Sequence, residues 1–90
     1  MPDAMETLVT ELLLEHAQNV PPQRPFPKSL SIRKDLAVES LSLVAVTLRL
    51  GDELNVDVTE AGIDLGGLNT VGDLVTVAHG LAQRAQQPIG

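Results

Sequence analysis

The best-placed chemical group in this sequence is the hydroxyl of Ser40, which lies between an acidic residue, Glu39, and an apolar one, Leu41. The hydrophobic pattern predicts that a helix begins at Ser40 and runs to about Leu54. A serine hydroxyl there lies beside free backbone amides and the positive end of the helix dipole, which suit a phosphodiester. Serine is also a favoured N-cap residue, and position alone favours simple capping. The motif around Ser40 decides between the two interpretations.

Composition argues against several other kinds of chemistry. The chain has 90 residues, no cysteine and a formal net charge of −6, with only six Lys and Arg residues. Nucleic acids and anionic membrane surfaces bind cationic proteins, so we expect neither as a partner. His16 and His79 are interpreted as isolated surface histidines, because a metal site needs several converging ligands. No acid pair, histidine–serine set or metal cluster is placed for catalysis, so we do not expect an enzyme.

Hydrophobicity predicts one folded domain over residues 1–90. Hydrophobic residues make up 43% of the chain and Phe26 is its one aromatic residue, so the core should be aliphatic. No apolar run approaches the ~20 residues of a membrane-spanning helix, and no signal peptide is recognisable at the start. We therefore expect a cytoplasmic protein without membrane insertion, and a monomer.

Hydrophobic periodicity predicts an all-α fold, a small bundle of three longer helices and one short helical turn. The predicted ranges are about 3–18, 40–54 and 70–86 for the longer helices and 59–65 for the turn. Asp3 with Glu6, and Thr70 with Asp73, have the spacing of capping boxes at the first and last helices. Asn55 is a plausible left-handed residue after the second helix.

The second helix has a broad apolar face, which predicts packing against neighbours on two sides. This face consists of Leu41, Val44, Leu48 and Gly51 in one line, with Thr47, Leu50 and Leu54 beside it.

Two connections have unusual sequences. Val20 to Lys34 is a long first loop with four prolines, and Phe26, Leu30 and Ile32 could pin it across the core. The alternative is a flexible linker between two units; pinning is favoured because so small a domain can spare few apolar groups. Val56 to Thr59 alternates like a strand but has no partner strand, so it is predicted to be an extended linker.

Two separated motifs resemble those of acyl carrier proteins. The family signature Asp-Leu-Gly-x-Asp-Ser-Leu falls on residues 35–41 without a gap, and Thr-Val-Gly-Asp falls on residues 70–73. The resemblance extends from Met5 to Ala85. It implies a carrier on which a phosphopantetheinyl transferase places 4′-phosphopantetheine from coenzyme A, with Ser40 as the attachment residue and Glu39 and Leu41 beside it. The thiol of that arm would hold an acyl group as a thioester; the chain has no cysteine of its own to supply one.

The chain departs from the family pattern in three ways. Glu39 replaces the usual aspartate, adding a methylene to an acid that in the family helps to engage the transferase and its magnesium. Ala37 replaces a glycine, which should be tolerated if its backbone angles are negative. Ser42, Ala45 and Gly51 occupy positions that are usually acidic in fatty-acid carriers.

The resemblance also implies a docking surface on the second helix for acyl-activating, ketosynthase or acyltransferase enzymes. That surface would comprise Leu41, Ser42, Ala45, Arg49, Asp52 and Glu53. Its shortage of acids near the serine favours a specialised acyl or polyketide pathway, although neutral drift of surface residues is the alternative. An aminoacyl or peptidyl carrier, and an unmodified helical protein-interaction module, are the other hypotheses. The acid before Ser40 favours an acyl carrier, and the intact Ser40–Leu41 pair argues against an unmodified module.

Overall fold

The computed structural model describes residues 4–86, and within them it is all-α, as predicted. The only β pairing in this range is an isolated bridge between Ser31 and Thr70. The elements in chain order are α1 (Ala4–Leu14), α2 (Ser40–Leu54), α3 (Val58–Ala61), a 3₁₀ turn (Leu65–Gly67) and α4 (Val71–Gln86).

Helices α1, α2 and α4 pack against one another, and α3 packs against α2. Their shared core is aliphatic except for Phe26, as the composition predicts. Its buried members are Val9, Leu12, Leu13, Phe26, Ile32, Leu36, Val38, Leu43, Val46, Leu50, Leu68, Val71, Leu74, Val75, Ala78 and Leu81.

The first helix is shorter than its apolar pattern predicts, because it ends at Leu14 rather than near residue 18. The N–H groups of Gln18 and Asn19 donate to the carbonyl of Leu36, at 3.0 and 3.2 Å, instead of continuing the helix. The loop before α2 therefore supplies the acceptor that ends α1. Asp3, the first half of the predicted capping box, lies outside the described residues.

The predicted turn at 59–65 is two separate pieces, and the extended linker is wrong for Val58 and Thr59, which are helical. Asp57 caps α3, because its carboxylate accepts hydrogen bonds from the hydroxyl and the backbone N–H of Thr59. These two bonds, the hydroxyl one first, lower the pKa of Asp57 below its ordinary value. The local cap therefore overrides the strand-like alternation.

The long first loop is pinned to the core, as predicted. Phe26 is 2% exposed and Ile32 is fully buried, while Leu30 is half-buried. The backbone N–H of Phe26 donates to the buried hydroxyl of Thr10 on α1, at 2.9 Å. The loop is therefore part of the domain and does not link two units.

The end of this loop forms a strap across the start of α4. The backbone N–H of Ile32 donates to the carbonyl of Asn69 at 2.9 Å. In return, the N–H groups of Val71 and Gly72 donate to the carbonyls of Leu30 and Lys28, each at 2.9 Å. The approach is close, because a Cβ at residue 72 would lie 3.2 Å from the carbonyl oxygen on residue 28, tighter than most such contacts.

The predicted capping box at α4 is confirmed. The Thr70 hydroxyl accepts from the Asp73 N–H at 3.2 Å, and the Asp73 carboxylate accepts from the N–H groups of Asn69 and Thr70 at 3.0 Å each. These bonds, with that of Asn69 first, lower the pKa of Asp73. The charged form of this carboxylate therefore stabilises the fold above its unfolded-state pKa, and the contribution is lost as the pH falls through the folded-state pKa.

Replacing Thr70 by alanine should destabilise the domain by about 1 kcal/mol, because Asp73 loses the acceptor for its N–H. For a domain of this size that lowers the melting temperature by roughly 4–8 °C. Thr76→Ala is the matched control, since this exposed mid-helix hydroxyl only donates back to the carbonyl of Gly72. Equal melting temperatures for the two variants would show that the Thr70 cap contributes nothing.

The backbone at Ala37 differs from the expectation. Alanine should be tolerated there if its backbone angles are negative. Its φ is +53°, so this condition is not met. The buried side chains of Leu36 and Val38 hold the segment in this conformation, and the N–H of Val38 donates to the carbonyl of Ile32 at 3.0 Å. Alanine in the left-handed region costs roughly 1–2 kcal/mol.

Ala37→Gly should therefore stabilise the domain by about 1 kcal/mol, since glycine adopts this conformation without steric cost. Chemical denaturation of the purified protein measures the change. Ala82→Gly, in the regular helix α4, is the control and should destabilise by roughly 0.5–1 kcal/mol. A loss of stability in both variants would mean that Ala37 is not strained.

Candidate functional site

Ser40 is the first residue of α2, and its side chain is exposed. The N-cap residue is Glu39, with an extended backbone (φ −73°, ψ 160°), and its side chain makes no capping hydrogen bond. The interpretation of Ser40 as a simple cap is therefore wrong, because the capping position lies one residue earlier. Within the described part of the chain, the Ser40 hydroxyl makes no hydrogen bond.

The start of α2 leaves backbone donors open. The first intrahelical bond runs from the N–H of Leu43 to the carbonyl of Glu39, at 2.9 Å, so the three preceding N–H groups have no acceptor within the helix. No acidic side chain lies in the first turn. The exposed serine therefore sits at a positive helix end that no side chain of the helix neutralises.

The segment before Ser40 is rigidly attached to the core. Leu36 and Val38 are buried, and the Asp35 carboxylate accepts the backbone N–H of Ser31 at 2.7 Å. This turn brings the strap and the start of α2 together. Ser40 is thus an exposed group on a fixed backbone.

Ser40 lies on the wall of a cleft of about 220 Å³ between the start of α2 and the 3₁₀ turn. Besides the serine, its polar side chains come from Arg33 and Asn69. The remaining lining residues are Leu43, Val44, Leu65, Gly66 and Leu68.

A second cleft, of about 340 Å³, lies between α2 and α3. Both of its threonine hydroxyls are already engaged, since Thr47 donates to the carbonyl of Leu43 and Thr59 donates to Asp57. The cleft therefore offers an almost purely hydrocarbon surface. Its lining residues are Val44, Thr47, Leu48, Val58, Thr59, Gly62, Ile63 and Leu65.

The two clefts adjoin, because Val44 and Leu65 line both of them. A flexible group attached to Ser40 could pass these two side chains and reach the apolar cleft. The sequence gives no direct sign of this path, because Leu65 lies among the glycines at 62, 66 and 67, at the end of the predicted short turn.

The predicted apolar face of α2 is only partly buried. Three of the four residues in its first line are exposed, with Leu41 83%, Val44 36% and Leu48 49% accessible, so the prediction is wrong for them. The buried face consists of Leu43, Val46, Thr47, Leu50 and Gly51, of which the last three belong to the predicted face. Leu43, Val46 and Leu50 repeat with the same spacing as the exposed line but start two positions later, about 200° around the helix. Periodicity alone cannot decide which of two such lines faces the core.

The proposed docking residues lie on the accessible side of α2. Gly51 is not one of them, but it is one of the three positions that are usually acidic in fatty-acid carriers. Gly51 is buried, and a Cβ there would lie 2.7 Å from the carbonyl oxygen of Val56. An acid at that position would not fit, so its absence says nothing about partners. Ser42 and Ala45, both half-buried, are therefore the two positions near the serine where an acid is missing.

Charges at the far end of this surface are partly paired. Arg49 and Glu53 form an ion pair at 3.5 Å, with both side chains about half exposed. Asp52, beside them, is exposed. The positive charge of Arg49 is therefore partly offset by an acid one turn along α2.

Other features of the described residues lie away from Ser40. In residues 4–86, no three His, Cys, Asp or Glu side chains gather in a way that could hold a metal ion. His16 and His79 line neither of the two clefts. None of the helices in that range has the length and apolar character needed to cross a membrane.

No protein-family model, curated protein or solved structure matches the chain. The geometry around Ser40 and the two sequence motifs are therefore the observations that bear on function. They point in the same direction, because the motif serine is also the exposed hydroxyl beside the clefts.

Proposed function

We propose that the protein is an acyl carrier, on which Ser40 bears a 4′-phosphopantetheine arm with an acyl or polyketide-type intermediate. The observation that carries this proposal is the exposed, unengaged Ser40 hydroxyl at the uncapped start of α2, beside two adjoining clefts. An attachment residue must be reachable and its nucleophile free, and Ser40 meets both conditions.

The residues present fit such a group. The open N–H groups at the start of α2 and the Arg33 guanidinium suit a phosphodiester. In the transfer, the Ser40 hydroxyl would give its proton to a base of the transferase and form an ester bond to the phosphorus next to pantetheine, while the phosphoanhydride bond of coenzyme A breaks and the nucleotide part leaves with the bridging oxygen. The exposed carboxylate of Glu39, which makes no capping bond, remains available to the transferase and its magnesium. When attached, the arm supplies the thiol that holds the cargo.

The apolar cleft supports an acyl cargo over an aminoacyl one. No acidic side chain lines it, so a charged ammonium group would find no carboxylate to pair with there. Burying an unpaired charge in such surroundings is costly, whereas a hydrocarbon chain gains about 25 cal/mol per Å² of apolar surface removed from water. An aminoacyl or peptidyl carrier therefore remains the less supported hypothesis.

An unmodified helical interaction module is a second candidate, supported by the exposed line of Leu41, Val44 and Leu48. A module of this kind would dock through the line and leave Ser40 bare. The line also fits the carrier proposal, in which acyl-activating, ketosynthase or acyltransferase enzymes would contact the same face. Attachment of phosphopantetheine to Ser40, called loading below, distinguishes a carrier from an unmodified module.

Incubation with coenzyme A, magnesium and a broad-range phosphopantetheinyl transferase should add the mass of one arm to the protein. Ser40→Ala should stay unmodified, while Ser29→Ala, at an exposed serine in the first loop, should be loaded like the wild type. Because the Ser40 hydroxyl does not cap α2, Ser40→Ala should change stability by less than ~0.5 kcal/mol. The carrier proposal fails if the wild type gains no mass, or if Ser40→Ala gains it equally.

The shortage of acids near Ser40 should make the protein a poor substrate for enzymes of housekeeping fatty-acid synthesis. Ser42→Asp with Ala45→Glu should raise their activity on it by a few-fold per charge at most, since exposed pairs contribute only ~0.2–1 kcal/mol. A ketosynthase or acyltransferase assay on the loaded protein measures the gain. It should shrink with salt, because the Debye length falls from ~10 Å at 0.1 M to ~3 Å at 1 M.

Thr7→Asp with Gln83→Glu is the matched control for this test, because it adds the same charge at exposed positions on α1 and α4. Equal activity of the two double variants would show that charge beside Ser40 does not determine partner choice. Neutral drift would then explain Ser42 and Ala45.

A further inference from the structure

We infer that Arg33 is a positioning residue that pairs with the phosphodiester on Ser40 and, with Asn69, directs the arm along the cleft toward Val44 and Leu65. This inference rests on the proposed function and deepens it. It assigns a role to two side chains outside the Glu39–Ser40–Leu41 motif. The observations that carry it are the lining of the cleft, the lack of an ion pair on Arg33 within residues 4–86, and the backbone that holds the two residues.

Attachment of the arm adds a negative charge to a protein that already carries −6, directly beside the carboxylate of Glu39. Arg33 is the one cationic residue that lines the cleft with Ser40. A guanidinium suits this task, because its planar fork can donate two hydrogen bonds to neighbouring phosphate oxygens.

Within residues 4–86, Arg33 forms no ion pair, although three other cationic side chains are engaged. Lys28 pairs with Glu6, and Arg49 pairs with Glu53. Arg24 lies over the Phe26 ring, 5.1 Å from its centre. The guanidinium beside Ser40 is thus available to an incoming anion.

The backbone fixes both polar residues of the cleft. Arg33 follows Ile32, whose N–H donates to the carbonyl of Asn69 and whose carbonyl accepts the N–H of Val38, at 2.9 and 3.0 Å. The backbone N–H of Asn69 is in turn bound by Asp73 at 3.0 Å. Both backbone groups of Asn69 are used, so its side-chain amide is the polar group left to bind the arm. One set of hydrogen bonds therefore fixes the two polar residues relative to the start of α2.

Nuclear magnetic resonance of the loaded protein tests the inference directly. The Nε–H signal of Arg33 in uniformly ¹⁵N-labelled wild type should move when the arm is attached, and most of that change should disappear at ~1 M salt, where the Debye length is ~3 Å. The backbone N–H signals of Gly66 and Asn69 should move as well. A merely structural arginine would give no salt-dependent change on loading.

Two substitutions of Arg33 then distinguish the effect of its positive charge from the effect of the planar guanidinium group. Arg33→Gln should lose most of the loading-dependent change at Gly66 and Asn69, and Arg33→Lys should keep part of it. Lys34→Gln is the matched control: it removes a neighbouring exposed cation that does not line the cleft, and it should behave like the wild type.

Intact mass is measured first, so that two kinds of failure stay distinct. A wild type that does not load overturns the proposed function itself. A wild type that loads while its Arg33 Nε–H signal stays unchanged overturns only the role of Arg33. The same conclusion follows if Arg33→Gln keeps the full changes at Gly66 and Asn69. The wild-type signal does not depend on the folding of any variant.

Discussion

The structure depends on the strap of backbone hydrogen bonds between the first loop and the start of α4. Three N–H groups, on Ile32, Val71 and Gly72, find carbonyl acceptors on the opposite segment. A buried backbone donor left without an acceptor costs about 1–3 kcal/mol, so the loss of any one of these bonds would destabilise the fold. Because the strap is followed directly by the turn that leads into α2, it also determines where Ser40 lies. A loop with four prolines thereby becomes the structural support of the serine.

The sequence predicted those features that rest on local chemistry. The bounds of α2, the capping box of α4 and the left-handed Asn55 are all confirmed. Features that need the three-dimensional neighbours were missed. The apolar pattern placed Leu41, Val44 and Leu48 on the packed face of α2, which is wrong, because packing against α1 and α4 selects the line that begins at Leu43. The early end of α1 depends on a carbonyl more than fifteen residues away in the chain, on Leu36.

Three residues around Ser40 depart from the local rules that favour stability. Ala37 has a positive φ, Glu39 does not cap, and Leu41 is 83% exposed. Each is unfavourable to stability: a left-handed alanine costs roughly 1–2 kcal/mol, and a missing N-cap bond about 1 kcal/mol. Local rules that break together within five residues are typical of functional sites, where stability is given up for another purpose. The same chain follows the rules closely at α4, so the exceptions are not a general property of its sequence.

The contrast between the two helix starts explains the role of the acid before the serine. At α4, Thr70 and Asp73 satisfy each other's backbone N–H groups, and nothing is left for an outside group to bind. At α2, a carboxylate stands at the N-cap position but makes no bond to the helix. Aspartate is among the favoured N-cap residues, whereas glutamate, one methylene longer, is not. The longer side chain thus keeps a negative charge beside Ser40 and leaves the helix N–H groups open. An acid that capped α2 would occupy some of those donors, and Glu39 leaves them free.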